Sequence, residues 1–175
     1  MVRWMIPLVV GLLLTVGRAN ALDAGPSVTI VLDAEEFALT APMQVASDAN
    51  ALDGKYIIVP KGAGNNGSGS TSVQLPVAGD YYLWGRVKAP SGAGHSFYIE
   101  IGGKRYAWLI AAPTDWHWER VSNTNRAGAA TAVVVSVTAP GAHTLKVLQG
   151  EEDVSLDQLV VTNNAYFVPT DHRHR

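Results

Sequence analysis

The 175-residue chain contains no cysteine. It therefore offers no disulfide brace, no thiolate metal site, no thiol nucleophile and no cysteine near the N-terminus to carry a lipid anchor. Charge is sparse, at 16% of residues, and no Lys/Arg run or basic stripe occurs. That excludes the electrostatic footprint of a nucleic-acid or anionic-membrane binder. Beyond residue 21 no apolar run is long enough to span a bilayer. A helical hydrophobic period of useful length is missing, as are an internal repeat and a Gly-x-Ser-x-Gly nucleophile elbow.

The N-terminus is of a different kind. Arg3 precedes the apolar stretch Met5–Val16, and Ala19-Asn20-Ala21 places small residues where a signal peptidase reads. Residues 1–21 are expected to be a signal peptide cleaved after Ala21, which would deliver the chain to the periplasm or the cell exterior. About 154 residues remain, enough for one domain with a single core. Without Arg3 and Arg18 they carry 11 basic against 15 acidic residues, a formal charge of −4.

The rest of the chain is cut by Gly and Pro into short β-like runs: Val28–Leu32, Tyr56–Val59, Thr71–Val77, Tyr81–Lys88, Ser96–Ile101, Arg105–Ile110, a tryptophan strand, Thr131–Thr138, His143–Leu148 and Val154–Val161. Tyr81–Lys88 alternates best, and Gly102-Gly103-Lys104 is a tight hairpin signal. Residues 41–53 have no clear period and read as loop with room for one short strand. The glycine-rich segment at 62–70 lacks the Lys-Ser/Thr pair and following helix of a phosphate loop. These features predict an all-β fold, a jelly-roll β-sandwich of two antiparallel sheets over residues 22–162, followed by a polar, solvated tail at 163–175.

The chemistry concentrates in Thr114–Val121. Trp116, Trp118 and Arg120 lie two apart and share one face of a strand. Trp118 suits the space between two sheets, and Trp116, next to the turn residues, suits the rim. A rigid, half-exposed indole is a platform on which a sugar ring can stack. The competing reading puts both tryptophans in the core. Of the other aromatics, Trp108 is the better core candidate, and Trp84 with Arg86 suits a stacked pair supporting a neighbouring strand. The five histidines show no zinc-like spacing. For catalysis, Glu100 and Glu119 could flank a cleft as glycoside hydrolysis requires, and Tyr98, Lys104, Tyr106 and His117 could serve a lyase. Neither set has a motif behind it, so the expectation is a protein that is not an enzyme.

Four ordered segments carry a resemblance. They are Asp33-Ala34-Glu35 after the first strand, Ala78–Val87 with its Gly-x-Tyr-x-x-x-x-Arg pattern, Asp115-Trp116-His117-Trp118, and Pro140–Leu145 followed by Val154–Leu159. In this order the chain resembles the family 6 and family 35 carbohydrate-binding modules over most of 28–162. The resemblance implies a non-catalytic, monomeric module that binds a polysaccharide or oligosaccharide. It implies a sugar site with Trp116 as the stacking indole, Tyr56 as second aromatic and Asp115 as auxiliary acceptor. Asp153 or Ser155 stands near the place of a missing last-loop Asn. It also implies a structural calcium ion between the chain ends, held by Asp33, Glu35 and Asp157, a hard-oxygen set of the kind calcium takes. On the residues alone, Asp157 could instead pair with a Lys or Arg. The alternative functions are an extracellular adhesion or matrix protein, and a small lyase or hydrolase.

Overall fold

The structure, a computed structural model, describes residues 26–90, 95–110, 114–124 and 128–171. The expected signal peptide, the turn residues up to Pro113, and His172 and His174 lie outside them. The described residues form fourteen strands. The first seven are β1 (Thr29–Asp33), β2 (Ala38–Thr40), β3 (Gln44–Ser47), β4 (Lys55–Ile58), β5 (Ser68–Leu75), β6 (Gly79–Lys88) and β7 (Ser96–Ile101). The others are β8 (Lys104–Leu109), β9 (His117–Arg120), β10 (Ser122–Thr124), β11 (Ala130–Ala132), β12 (Val134–Val137), β13 (Gly141–Gln149) and β14 (Ser155–Thr162). One short 3-10 turn, Ala34–Glu36, follows β1.

All pairings are antiparallel. One sheet has seven strands along β12-β6-β14-β4-β3, with β1 on β14 and β9 on β6; the other has five, β2-β5-β13-β7-β8. Strands β10 and β11 form a separate ribbon. From β4 to β7, and again from β12 to β14, successive strands cross from one sheet to the other, which is the jelly-roll pattern of connection. The two-residue alternation builds the core. In β6, Tyr81, Leu83 and Val87 point inward, while Tyr82, Trp84, Arg86 and Lys88 face out. Opposite them, β7 and β13 contribute Phe97, Ile99, Leu145 and Val147.

The buried indole of this core is Trp108, with no exposed surface. It lies across β6 at Gly85, where a Cβ would come within 2.3 Å of the Trp108 ring; glycine here is a packing requirement. Its Nε1–H donates to Glu119 Oε1 at 3.0 Å, which satisfies the one polar atom it buries.

Two expectations are corrected. Trp118 is not between the sheets. The register Gly85↔Glu119 and Arg86↔Trp118 turns His117 and Glu119 inward and puts Trp118 on the outer face, beside Arg86. As expected, residues 41–53 are loop around one short strand, β3. The tail is not free as far as Asp171: Pro169 is buried, and Asp171 is ion-paired to Arg86.

Candidate functional site

The outer face of the seven-stranded sheet collects what the inner face cannot hold. Ile57 is buried, so its neighbour Tyr56 on β4 faces out. Lys88 and Arg86 project from the end of β6, and Trp116 leads into β9. Lys88, Arg86 and Trp116, together with the loop after β3, frame an open cleft of about 580 Å³ lined by Asp48, Asn50, Leu52, Arg86, Lys88, Asp115, Trp116 and Asp171, and Tyr56 packs on Trp116 beside it.

Asp48 organises the cleft. Its Oδ1 accepts the Asn50 N–H at 2.9 Å. Its Oδ2 accepts the Trp116 Nε1–H at 3.1 Å and a short charge-assisted bond from Lys88. The Lys88 bond, helped by the Asn50 N–H and by Trp116, holds the Asp48 carboxyl at about 2, well below the usual 3.8. Lys88 Nζ lies 4.9 Å from the Trp116 ring centroid and 5.6 Å from that of Tyr56. The two rings meet at 72°, centroids 5.3 Å apart, as an aromatic corner. Trp116 is half-buried, its polar edge tied down by Asp48. The spacing of the sequence offered no route to Asp48, Lys88 or Asn50, which come from a loop and a strand end far from Trp116 in the chain.

Arg86 lies beneath the cleft and is nearly fully buried. Its Nη1 donates to Asp157 Oδ2 at 2.6 Å and to the Asn50 carbonyl at 3.2 Å. Its guanidinium carbon is 5.4 Å from the Trp116 centroid, so the indole it supports is Trp116, where the sequence had suggested Trp84. The stacking arginine of the neighbouring strand is Arg120, 4.7 Å from the Tyr82 ring.

The sequence-derived sugar residues therefore divide. Trp116 and Asp115 line the cleft, and Tyr56 meets the Trp116 ring beside it. Ser155 lies beside Lys88 in the register but is buried. Asp153 is turned away: its Oδ1 accepts the Lys61 N–H at 3.0 Å, while Glu152 accepts N–H groups of Gly62 and Gly64. The glycine-rich loop thus binds the chain's own carboxylates.

The candidate catalytic sets do not assemble. Glu100 faces out from the five-stranded sheet in an ion pair with Arg105. Glu119 faces inward to Trp108 and His117. Tyr98 lies on the same outer face as Glu100, two residues away on β7, so the lyase candidates are also divided between two sides of the sandwich.

Asp33, Glu35 and Asp157 converge less simply than expected. Glu35 does not alternate with Asp33 along a strand, because the chain turns into the 3-10 helix at Ala34. Asp33 Oδ1 accepts from Gln158 Nε2 at 2.6 Å. Asp157 meets Arg86 and the Leu52 N–H, and burial pushes its carboxyl up against the pull of both. Burial also pushes Glu35 up, reinforced by Asp33, Asp157 and Asp53. Glu35 Oε2 is buried with no hydrogen-bond partner. An orphaned carboxylate oxygen among three other carboxylates suits a hard cation by donor chemistry. As placed, no three acidic or histidine groups among the described residues already frame an ion.

No family model and no curated protein sequence matches the chain. Solved structures do. A Podospora anserina GH26-CBM35 β-(1,4)-mannanase aligns with 81% of this chain at 13% identity and a TM-score of 0.60; the chain spans 29% of that enzyme's length. A family 35 carbohydrate-binding module from Clostridium thermocellum matches over 77% of this chain and 97% of its own, with 15% identity and a TM-score of 0.56. The C-terminal CBM6 of a marine laminarinase from Zobellia galactanivorans matches over 77% and 99%, with 16% identity and a TM-score of 0.51. The sandwich is the fold of the family 6 and family 35 carbohydrate-binding modules.

Proposed function

We propose that the protein is an exported, non-catalytic carbohydrate-binding module whose sugar site is the cleft at Trp116. The observation that carries this reading is the aromatic corner. Two half-buried rings at 72°, one of them fixed through its N–H to Asp48, stand beside polar groups that can meet hydroxyls. A pyranose needs such a pairing, since its C–H faces pack on a ring and its rim hydroxyls need donors and acceptors. Asp115 and Asn50 are the uncrowded acceptor and amide of the cleft. The platform is set before ligand arrives, so little ordering entropy opposes binding; the open shape limits the area buried, which points to affinities of about μM to mM. In this reading Asp153 and Ser155 are loop and sheet residues, not sugar contacts. The fold shared with modules found in glycan-active enzymes supports the same conclusion.

We also infer that a calcium ion settles the acidic group at the chain ends, with Glu35 as its principal ligand and Asp33 and Asp157 beside it. The ion would supply the partner Glu35 Oε2 lacks and screen four like charges; no step of sugar binding passes through it.

A glycan array scored for the wild-type chain and for Trp116→Ala tests the function. Binding to at least one glycan class, weakened tenfold or more in the variant with an unchanged Tm, is the expected result. Equal signals from both proteins would place the site elsewhere, and an array silent for the wild type and for the variants of the C-terminal segment described below would remove the function.

A further inference from the structure

After β14 the chain turns at Asn164, where the Phe167 N–H meets the Asn164 carbonyl at 3.1 Å. It then runs back over the outer face of the seven-stranded sheet without forming a strand. Phe167, Val168, Pro169 and Thr170 wall a groove of about 280 Å³ against Trp118 and Val160. The segment ends in the sugar cleft, whose lining includes Asp171. There the Asp171 carboxylate takes the open side of Arg86, with Nε to Oδ1 at 3.0 Å and Nη2 to Oδ2 at 3.1 Å. Oδ1 also accepts the Trp118 Nε1–H at 2.9 Å.

We propose that residues 167–171 are an autoinhibitory strap: the chain's own tail covers the groove at Trp118 and closes one side of the cleft through Asp171, and must lift off Arg86 before a glycan chain can extend from Trp116 past Trp118. This rests on the carbohydrate reading of the cleft. Three features favour a strap that opens over a permanent part of the sandwich. The segment adds nothing to the backbone ladder, so the sheet stays whole when it leaves. Its anchor on Arg86 is the Asp171 side chain, which is 56% exposed, where solvent and salt compete for the guanidinium. Arg86 keeps Asp157 and the Asn50 carbonyl when Asp171 departs, so opening does not strand a buried cation. The face the strap uncovers is a second indole and a two-pronged donor, in line with Trp116. A ligand that needs the open form pays for the closed population: its apparent affinity falls by the open fraction.

The test uses the full-length chain, D171N, and D171N combined with Phe167→Ser in case apolar contacts alone keep the strap down. Removing the charge-assisted fork is expected to shift closure by roughly tenfold. The Kd for a glycan positive on the array should then fall about tenfold in one or both variants, while hydrogen exchange of amides 167–171 accelerates. Equal Kd values for all three proteins would overturn the strap and leave the carbohydrate reading standing. An array silent for wild type and answered by a variant supports both; an array silent for all three overturns both.

Discussion

Replacing Asp48 with Asn removes one negative charge at the centre of the cleft and leaves the side chain's shape. The carboxylate is bonded to Lys88, to the Asn50 N–H and to the Trp116 Nε1–H, and its pKa falls from 3.8 to about 2. A group whose folded pKa is depressed stabilises the fold above its unfolded pKa, and that stability drains away as pH falls through the folded value. The full shift corresponds to about 2.4 kcal/mol at 1.36 kcal/mol per unit. The Asp48 and Lys88 side chains are 19% and 29% exposed, so solvent screening reduces this to about 1–2 kcal/mol. Urea unfolding of wild type and D48N across pH reads the difference directly. The gap should hold at about 1–2 kcal/mol from neutral pH down to about pH 5, shrink through about pH 4 to 2, and close below about pH 2, where the protonated acid of the wild type and the amide of the variant are both neutral. A gap that stayed constant down to pH 2 would show that the charge contributes nothing and that Trp116 is held by shape alone.

Two further outcomes test the framework around the cleft. Gly85→Ala should destabilise by about 1–3 kcal/mol, since the new methyl would meet the pinned Trp108 ring at 2.3 Å; a thermal melt indistinguishable from wild type would mean the ring can shift. Chelation with EDTA should lower the Tm if calcium binds at Glu35, and Glu35→Gln should abolish the calcium dependence while keeping the fold; a Tm indifferent to calcium and chelator removes the ion from the account.

The strand plan was legible because period-two alternation and Gly/Pro punctuation are local. Tyr81–Lys88 and Val154–Val161 needed no partner to be recognised. The sidedness of β9 was not legible for the same reason. Spacing says that Trp116, Trp118 and Arg120 share a face, but only the pairing of Glu119 with Gly85 decides which face it is. Composition pointed the wrong way: the large apolar ring went out and the acid went in, because Trp108 needed an acceptor and Gly85 had left room for its ring, not for Trp118. Burial of Trp108 and exposure of the 116–120 face are thus one decision, made by a glycine on a different strand.

The same face explains why the tail was misjudged. A bare outer sheet carrying Trp118 and Val160 would expose apolar surface. The polar composition of 163–175 suggested a solvated end, but Phe167-Val168-Pro169 is an apolar run followed closely by an acid, Asp171. That is the order of groups needed to cover an indole and then reach a cation. Trp116 escapes this cover because its own acid, Asp48, comes from the loop after β3 and grips only the indole edge. The two tryptophans on one strand face therefore differ by which carboxylate reaches them: one from a loop that leaves the ring in the cleft, the other from a tail that lies along its groove. In the proposed function, that difference makes Trp116 the platform and Trp118 the surface held in reserve.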